Sequence, residues 1–431
     1  MTPPGREATM CGFVAGLLRD AVEPKRLDRA LETLHHRGPD SVGRWISPDR
    51  RWFLGHTRLS IIGLNNGDQP IANAAGDVRI VVNGELYGYR VIRDRLRAEG
   101  CPFKTESDSE IALHLYLREG MTLGRHLRGE FAAVIADRRN GAMLAIRDRF
   151  GIKPLFYTAH EGNVYFASEV KALLALGVPA RWNREAVLEE CFHFRPHSHS
   201  IFDGIYTVPP GHYAIAQRGE VSVYPYWDLV FPTAAEIAAD DRTDAEVVAG
   251  FRDVLDDAVR ERLIADVEVA SYLSGGIDSC SVLGLAQLHM DRPIRAFTLC
   301  FEDAAYDESE FARAGRALGL ELPPGARAPA RPRRGVFRRG LARGDTVRKR
   351  PRRGEVPPLA RGSRRGHQGR VHGRGVRRDA RGLCAVPPRR PPLQQRQPGP
   401  RDRREAARRN AGVELEPRRA DAGADRGRAH P

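Results

Sequence analysis

The sequence has little with which to build a disulfide framework or a structural metal site. Its six cysteines, Cys11, Cys101, Cys191, Cys280, Cys300 and Cys384, form no CxxC pair and no close spacing. That excludes a small stapled fold and fits a reduced, cytoplasmic setting. No apolar run approaches the roughly 20 residues of a spanning helix, and no basic stretch leads into an apolar one at the N-terminus, so membrane insertion and secretion are not expected. Beyond Leu322 isoleucine is missing altogether and Phe337 is the sole aromatic, while Gly and Pro exceed a quarter of the residues. Such a composition cannot bury a core, so residues 323–431 read as a disordered tail.

The formal charge of +14 belongs to that tail alone. From Pro323 onward there are 31 Arg, one Lys (Lys349) and nine acids, a balance of +23, which leaves −9 for residues 1–322. The tail offers charge without stacking aromatics, so it predicts salt-sensitive phosphate attraction and no specific nucleic-acid binding.

From Cys11 to about Gly219, short apolar runs alternate with Gly, Asn and Asp turns. Arg79 to Gly84, Phe131 to Asp137 and Asn163 to Ser168 read as strands, and Lys25 to His35 and Ser109 to Glu119 as helices. Residues 220–243, above all Phe231 to Thr243, read as a linker or helix lead-in. A helix over Asp244 to Ile264 presents Val247, Val248, Phe251, Val254, Leu255, Ala258, Val259 and Leu263 on one face. A strand over Val267 to Leu273, a helix over Cys280 to His289, a strand over Ile294 to Phe301 and a helix over Glu308 to Leu318 follow. Alternating strand and helix predicts a parallel sheet covered by helices.

The candidate chemistry begins at Met10-Cys11-Gly12-Phe13. Alone, Cys11 is a small buried residue at a strand start. It is followed in order by His36-Arg37-Gly38-Pro39-Asp40, Gly55-His56-Thr57-Arg58-Leu59-Ser60, Gln69-Pro70, Asn83-Gly84-Glu85-Leu86-Tyr87, Ser107-Asp108-Ser109-Glu110, and the run from Arg147 to Tyr157. Taken singly each is bland; Asn83-Gly84, for example, is also a common type I′ hairpin turn. As an ordered set they resemble the class II glutamine amidotransferases of the asparagine synthetase type, over Cys11 to about Leu320.

That resemblance implies an α+β N-terminal-nucleophile sandwich (αββα) over residues 11–219. It also implies that Cys11 is the nucleophile, with its own α-amine as base, so that Cys11 becomes the first residue through a start at Met10 or removal of the first nine residues. An α-amine titrates near neutrality, as a base for this step must. By resemblance, Asn83 and the N–H of Gly84 form the oxyanion hole, Arg58 pairs with the glutamine α-carboxylate, and Glu85 and Asp108 bind its α-ammonium. Asp148 and Lys153 are expected to be structural or inter-domain residues.

Ser274-Gly275-Gly276-Ile277-Asp278-Ser279, between a buried strand and a helix, suits phosphate: glycines let backbone N–H groups approach oxygens and the helix start favours anions. It lacks the Gly-Lys-Ser/Thr ending of a Walker loop and resembles the SGGxDS loop of ATP pyrophosphatases. The implied second domain, 244–322, is a truncated α/β ATP-pyrophosphatase fold. Its ATP contacts would be Ser274, Gly275, Gly276, Asp278, Ser279 and Leu299, with Asp278 toward Mg²⁺. The implied substrates are glutamine, aspartate and ATP, and a homodimer is in keeping with the family. A different carboxylate acceptor, a stand-alone glutaminase, and a degenerate product with a basic tail are the competing readings.

After Asp307 to Leu320 the family pattern gives way abruptly to Arg, Pro, Gly and Ala, the residues a GC-rich gene yields when read out of frame. One nucleotide later, the codons from His372 to Cys384 are compatible with T-G-E-G-S-D-E-T-L-A-G-Y, near the family's aspartate-site motif. Those of Leu341 to Val347 and Arg353 to Ala360 allow W-H-x-E-T-P-F and A-V-K-F-L-L-S. A frameshift near Leu322 is therefore expected, and with it a chain that binds glutamine weakly or aggregates and does not complete synthesis.

Overall fold

The computed structural model describes residues 10–192, 198–300, 326–327 and 369–371. Contacts divide the chain into two units, Met1–Arg378 and Asp379–Pro431; the second lies outside the described residues.

The first strand, β1 (Gly12–Leu17), is apolar and buried throughout. Helix α1 (Pro24–Leu34) opens on a proline at its first turn, where no N–H is needed, and buries Leu27, Ala30, Leu31 and Leu34 at helical spacing. Then come β2 (Ser41–Ile46), β3 (Trp52–Arg58), β4 (Ile71–Ala72), β5 (Val78–Tyr87), α2 (Tyr89–Ala98), α3 (Glu110–Glu119), β6 (Arg128–Asp137) and β7 (Ala142–Arg147). The remainder of this part is β8 (Phe156–His160), β9 (Asn163–Ala167), α4 (Val170–Ala175), α5 (Arg184–Cys191), β10 (Tyr206–Thr207), β11 (His212–Gln217) and β12 (Glu220–Pro225).

These strands form two six-stranded sheets, ordered β10-β8-β9-β1-β3-β2 and β12-β11-β7-β6-β5-β4. Phe13, Ala15, Trp52 and Leu54 of one sheet meet Val81, Ala132, Val134 and Ala145 of the other in a shared core. The alternate side chains face outward: Val14, Phe53 and Tyr165 pack on Leu27, Leu31 and Leu173 of α1 and α4. On the far side Ile80, Val82, Ile135 and Leu144 pack with Leu96, Ile111 and Leu115 of α2 and α3. Period-two alternation over two helix-covered sheets is what makes the expected αββα sandwich.

Asn83-Gly84 is not a hairpin turn. Both residues lie mid-strand in β5, paired with Ala132 and Phe131 of β6. Gly84 holds φ at +145°, and a Cβ there would sit 2.0 Å from the Glu130 carbonyl, so the residue must be glycine for backbone reasons.

Helices α2, α4 and α5 were not expected from the sequence, and the linker holds a short helix, α6 (Ala234–Ala238), closed by a Thr233/Glu236 capping box. Helix α7 (Asp244–Glu261) has the same box at Thr243/Glu246. Strand β13 (Val269–Tyr272) and helix α8 (Ile277–Leu288) are each a little offset from the expected ranges. The strand expected over 294–301 is split into β14 (Arg295–Phe297) and β15 (Leu299–Cys300). The helix expected over 308–318 lies outside the described residues. Strand β13 pairs in parallel with β14, as expected of an α/β layer. Two short strands fall within the tail read as structureless, β16 (Ala326–Arg327) against β15 and β17 (Gly369–Val371) against β13, both parallel.

The apolar stripe of α7 is only partly covered. Val259 is buried and Leu263 packs with it, but Val247 (44%), Val248 (66%), Phe251 (50%) and Val254 (68%) are exposed. Only the end of the expected face is packed; its first half has no packed cover among the described residues.

Candidate active site

Strand β1 lies between β3 and β9, with Gly12 opposite Thr57. Cys11 therefore sits at the head of a central strand, beside the end of β3. Its Sγ receives the Leu59 N–H at 3.3 Å and lies 3.5 Å from the Leu59 carbonyl. Burial pushes the thiol pKa up, against the opposing pull of the Leu59 N–H, Arg37, Arg58 and Lys153. The resting sulfur is a thiol, and it needs a base to become a nucleophile.

The cavity at Cys11 is lined also by Met10, Arg58, Asn83, Gly84, Glu85, Asp108 and Lys153. All six residues assigned to glutamine chemistry from the sequence thus come together from β1, β3, β5 and the turn before α3. No histidine lines it. His56 is fully buried, donates from Nε2 to the Val82 carbonyl at 3.0 Å, and is held near pKa 4 by desolvation, so it stays neutral.

Asn83 is 0% exposed, yet neither its Nδ2 nor its Oδ1 has a partner. A buried carboxamide without partners costs on the order of 1–3 kcal/mol per group and is rare in native cores. Asp108 accepts the Leu86 N–H at 2.7 Å and the Ser107 hydroxyl at 3.3 Å. Burial raises its pKa against those bonds. Glu85 is pushed up to about 7, first by burial and further by Glu130 and Asp108, with Lys153 and Arg262 opposing. The buried Arg58 donates to the carbonyls of Gly63 (2.6 Å) and Ile62 (3.2 Å) and to Asp68 (3.2 Å).

Lys153 had been expected to be structural, and the sequence reading missed its place in the cavity. Its Nζ donates to Glu130 Oε2 at 3.2 Å and reaches the Met10 sulfur at 2.8 Å. Its lysine charge inside a strongly apolar stretch was the available signal. Asp148 fits the structural reading: fully buried, it accepts the N–H groups of Phe150, Ile152 and Lys153 and shapes that turn. Behind Cys11, Arg37 donates through Nε to the Cys11 carbonyl at 2.8 Å and through Nη1 to Glu169 at 2.7 Å. Burial alone would raise Glu169, but the His36 bond and the charges of Arg37 and Lys171 hold it near 2.

The second constellation, residues 274–279, joins the end of β13 to the start of α8. Gly275 has φ +80°, and a Cβ on Gly276 would meet only Ser274 Oγ, at 3.5 Å. Ser279 Oγ lies 3.1 Å from Ser274 Oγ and donates to the Gly276 carbonyl at 3.0 Å. Gly276 caps α8, and Asp278 lies in its first turn. Leu299 is on β15, beyond the loop in sequence. Among the described residues no group of three or more His, Cys, Asp or Glu side chains forms a metal cluster. No described helix is long and apolar enough to cross a membrane.

A cysteine at the head of a buried central strand, facing an unpartnered asparagine across an αββα sandwich, marks an N-terminal-nucleophile hydrolase fold. A model described as a glutamine amidotransferase domain matches residues 10–227, and one described as asparagine synthase matches residues 250–317. The chain belongs to the glutamine amidotransferase family of the asparagine synthetase type. It is 44% identical over 263 residues to the amidase chry2 of Gibberella zeae, covering 61% of this chain and 38% of that protein. It is 33% identical over 309 residues to an asparagine synthetase [glutamine-hydrolyzing] of Bacillus subtilis, covering 68% and 48%. The chain thus spans less than half the length of these relatives. Among solved structures, the glutamine phosphoribosylpyrophosphate amidotransferase of B. subtilis matches at 16% identity and a TM-score of 0.40, covering 77% of this chain and 70% of that one.

Proposed function

We propose that the first part of the chain, residues 11–219, hydrolyses glutamine and that residues 244–322 begin a domain that consumes the ammonia in an ATP-dependent amidation. The observation that carries this is the buried, unpartnered carboxamide of Asn83 facing Cys11 in one cavity. With Cys11 as the first residue, its α-amine takes the thiol proton and Sγ attacks the glutamine carboxamide carbon. The oxyanion is stabilised by Asn83 Nδ2 and the Gly84 N–H, which are fixed before the reaction. Collapse returns the proton to the departing ammonia, and water then hydrolyses the thioester to glutamate. Arg58 pairs with the substrate α-carboxylate, and Glu85 and Asp108 with its α-ammonium. Met10 lines the same cavity, which supports the requirement that it be removed.

The glycine loop at 274–279 suits the phosphates of ATP, because close approach to its backbone meets no side chain at Gly276. A bound Mg²⁺ would neutralise phosphate charge there, with Asp278 the residue to hold it. A substrate carboxylate attacks the α-phosphorus and releases pyrophosphate, and ammonia displaces AMP from the acyl-adenylate. With aspartate as acceptor the product is asparagine. A different carboxylate is the second reading, since the relatives matched are not all named asparagine synthetases. Incubating the frame-corrected protein with glutamine, ATP and aspartate tests this: asparagine with AMP and pyrophosphate is expected. Ammonia release without asparagine would overturn aspartate as the acceptor.

The abrupt change to Arg, Pro, Gly and Ala after Leu322 supports the out-of-frame reading of the tail. Sequencing the gene across codons 318–330 is expected to restore the family pattern with one added or lost base. An unbroken frame in an active protein would overturn it.

The ammonium role of Glu85 has a pH signature. Its carboxyl, near 7, must ionise to hold an ammonium, so KM for glutamine should fall as pH rises from 6 to 8 and then level. Glu85→Gln should flatten that dependence and raise KM throughout. The sign for stability is opposite: with a folded pKa raised above the ordinary glutamate value of 4.5, the folded state binds the extra proton between 4.5 and about 7. Stability from this group is therefore lost as pH rises through that window, and a denaturation series of the Gln variant should lack this slope.

A further inference from the structure

The loop after β3 forms one wall of the Cys11 cavity through Leu59, Ile61, Ile62 and Gly67. It is held from two sides. From the cavity, Arg58 binds the carbonyls of Ile62 and Gly63. From the other side, Asp266, in the connection between α7 and β13, accepts the Gly63 N–H on Oδ2 at 2.7 Å. The Asp266 N–H in turn donates to the Ile61 carbonyl at 2.9 Å. The two bonds bracket Ile62, which is buried and lines the cavity. Gly63 has φ +66°, and a Cβ there would lie 2.8 Å from the Ser107 N, so its N–H is presented to Asp266 in a fixed direction. The connection is itself anchored: Glu261 accepts the Gly88 N–H at 2.7 Å, and Ile264 packs on the core beneath α2 and α3. It then runs directly into β13, whose far end opens the 274–279 loop.

We propose that Asp266 is a positioning residue that clamps the Ile61–Gly63 wall over the Cys11 cavity, so that glutamine affinity depends on where the first strand of the second domain sits. The inference rests on the glutaminase reading above. The bond is charge-assisted but solvent-exposed, so its effect is a modest one on affinity.

Full-length protein, Asp266→Ala, Asp266→Asn and Cys11→Ala variants decide it. Asp266→Ala should raise KM for glutamine about three- to tenfold with kcat within about twofold, and speed hydrogen exchange at the Gly63 N–H. Asp266→Asn retains an acceptor oxygen and should recover most of both. It also provides the measurement if the alanine variant fails to fold. Wild-type KM and wild-type Gly63 exchange in either variant overturn the clamp, and so does a fall in kcat with KM unchanged. A frame-corrected wild-type chain beginning at Cys11 that releases no ammonia, or a Cys11→Ala variant as active as wild type, would overturn the glutaminase reading instead; exchange at Gly63 then decides the clamp separately.

Discussion

Cys11→Ala is expected to lower ammonia release from glutamine by about a thousandfold or more, because the group that attacks the carboxamide is removed. The loss should come without a loss of fold. The sulfur's contacts to the Leu59 backbone are weak ones, at 3.3 and 3.5 Å, so truncation removes little packing and no strong hydrogen bond. Cys11→Ser keeps the shape but offers a hydroxyl with a far higher pKa, and it should be nearly as inactive. Thermal unfolding of both variants should stay close to wild type while the ammonia assay collapses. The same preparation carries a second readout: N-terminal sequencing of the active wild-type fraction should begin at Cys11. An active enzyme with Met1 intact would remove the α-amine from the mechanism, because the amine would then be tied up in a peptide bond.

Asn83→Ala should reduce kcat by about 10²–10³ with KM little changed, the effect expected for one lost oxyanion donor. What distinguishes this variant is its stability. In the folded chain both polar atoms of the Asn83 side chain are buried without partners. Such groups carry a penalty of about 1–3 kcal/mol each, which truncation relieves, against a smaller cost for the cavity left behind. The melting temperature should therefore hold or rise as activity falls. Asn83→Asp has nearly the same shape but loses both N–H donors and adds negative charge beside the oxyanion, so it should be the least active of the three. A structural asparagine would behave in reverse, losing stability while retaining turnover, and that pattern would sink the oxyanion role.

Much of the site was legible because its residues lie on strands whose local pattern is clear. Cys11 precedes a six-residue buried run, and Asn83 to Glu85 continue one from Val78. Helix α2 escaped notice for a physical reason: its core-facing positions are Tyr89, Arg93 and Leu96. Arg93 is buried by stacking 4.8 Å from the Tyr89 ring and 5.7 Å from Phe103, and by donating to the carbonyls of Glu106 and Ser107. An arginine held in this way occupies a core position that no apolar periodicity can reveal. The position of Lys153 in the cavity is hidden from the sequence for a related reason. Its spacing says nothing of which side of the Asp148 turn its ammonium will reach, and only the meeting of β1, β5 and β6 makes Glu130 its partner.

Sequence alone marked the candidate nucleophile, the candidate oxyanion and substrate-clamp residues, the glycine loop, the alternation that yields a double sheet, and the abrupt change of composition after Leu322. Those are properties of residue type and local order. Tertiary structure decided that Asn83 is left without a partner, that Glu85 titrates near neutrality, that Lys153 enters the cavity, and that Asp266 reaches back to Gly63. Each of these depends on desolvation or on a contact between segments far apart in the chain, and neither quantity exists until the two sheets and the following domain have packed.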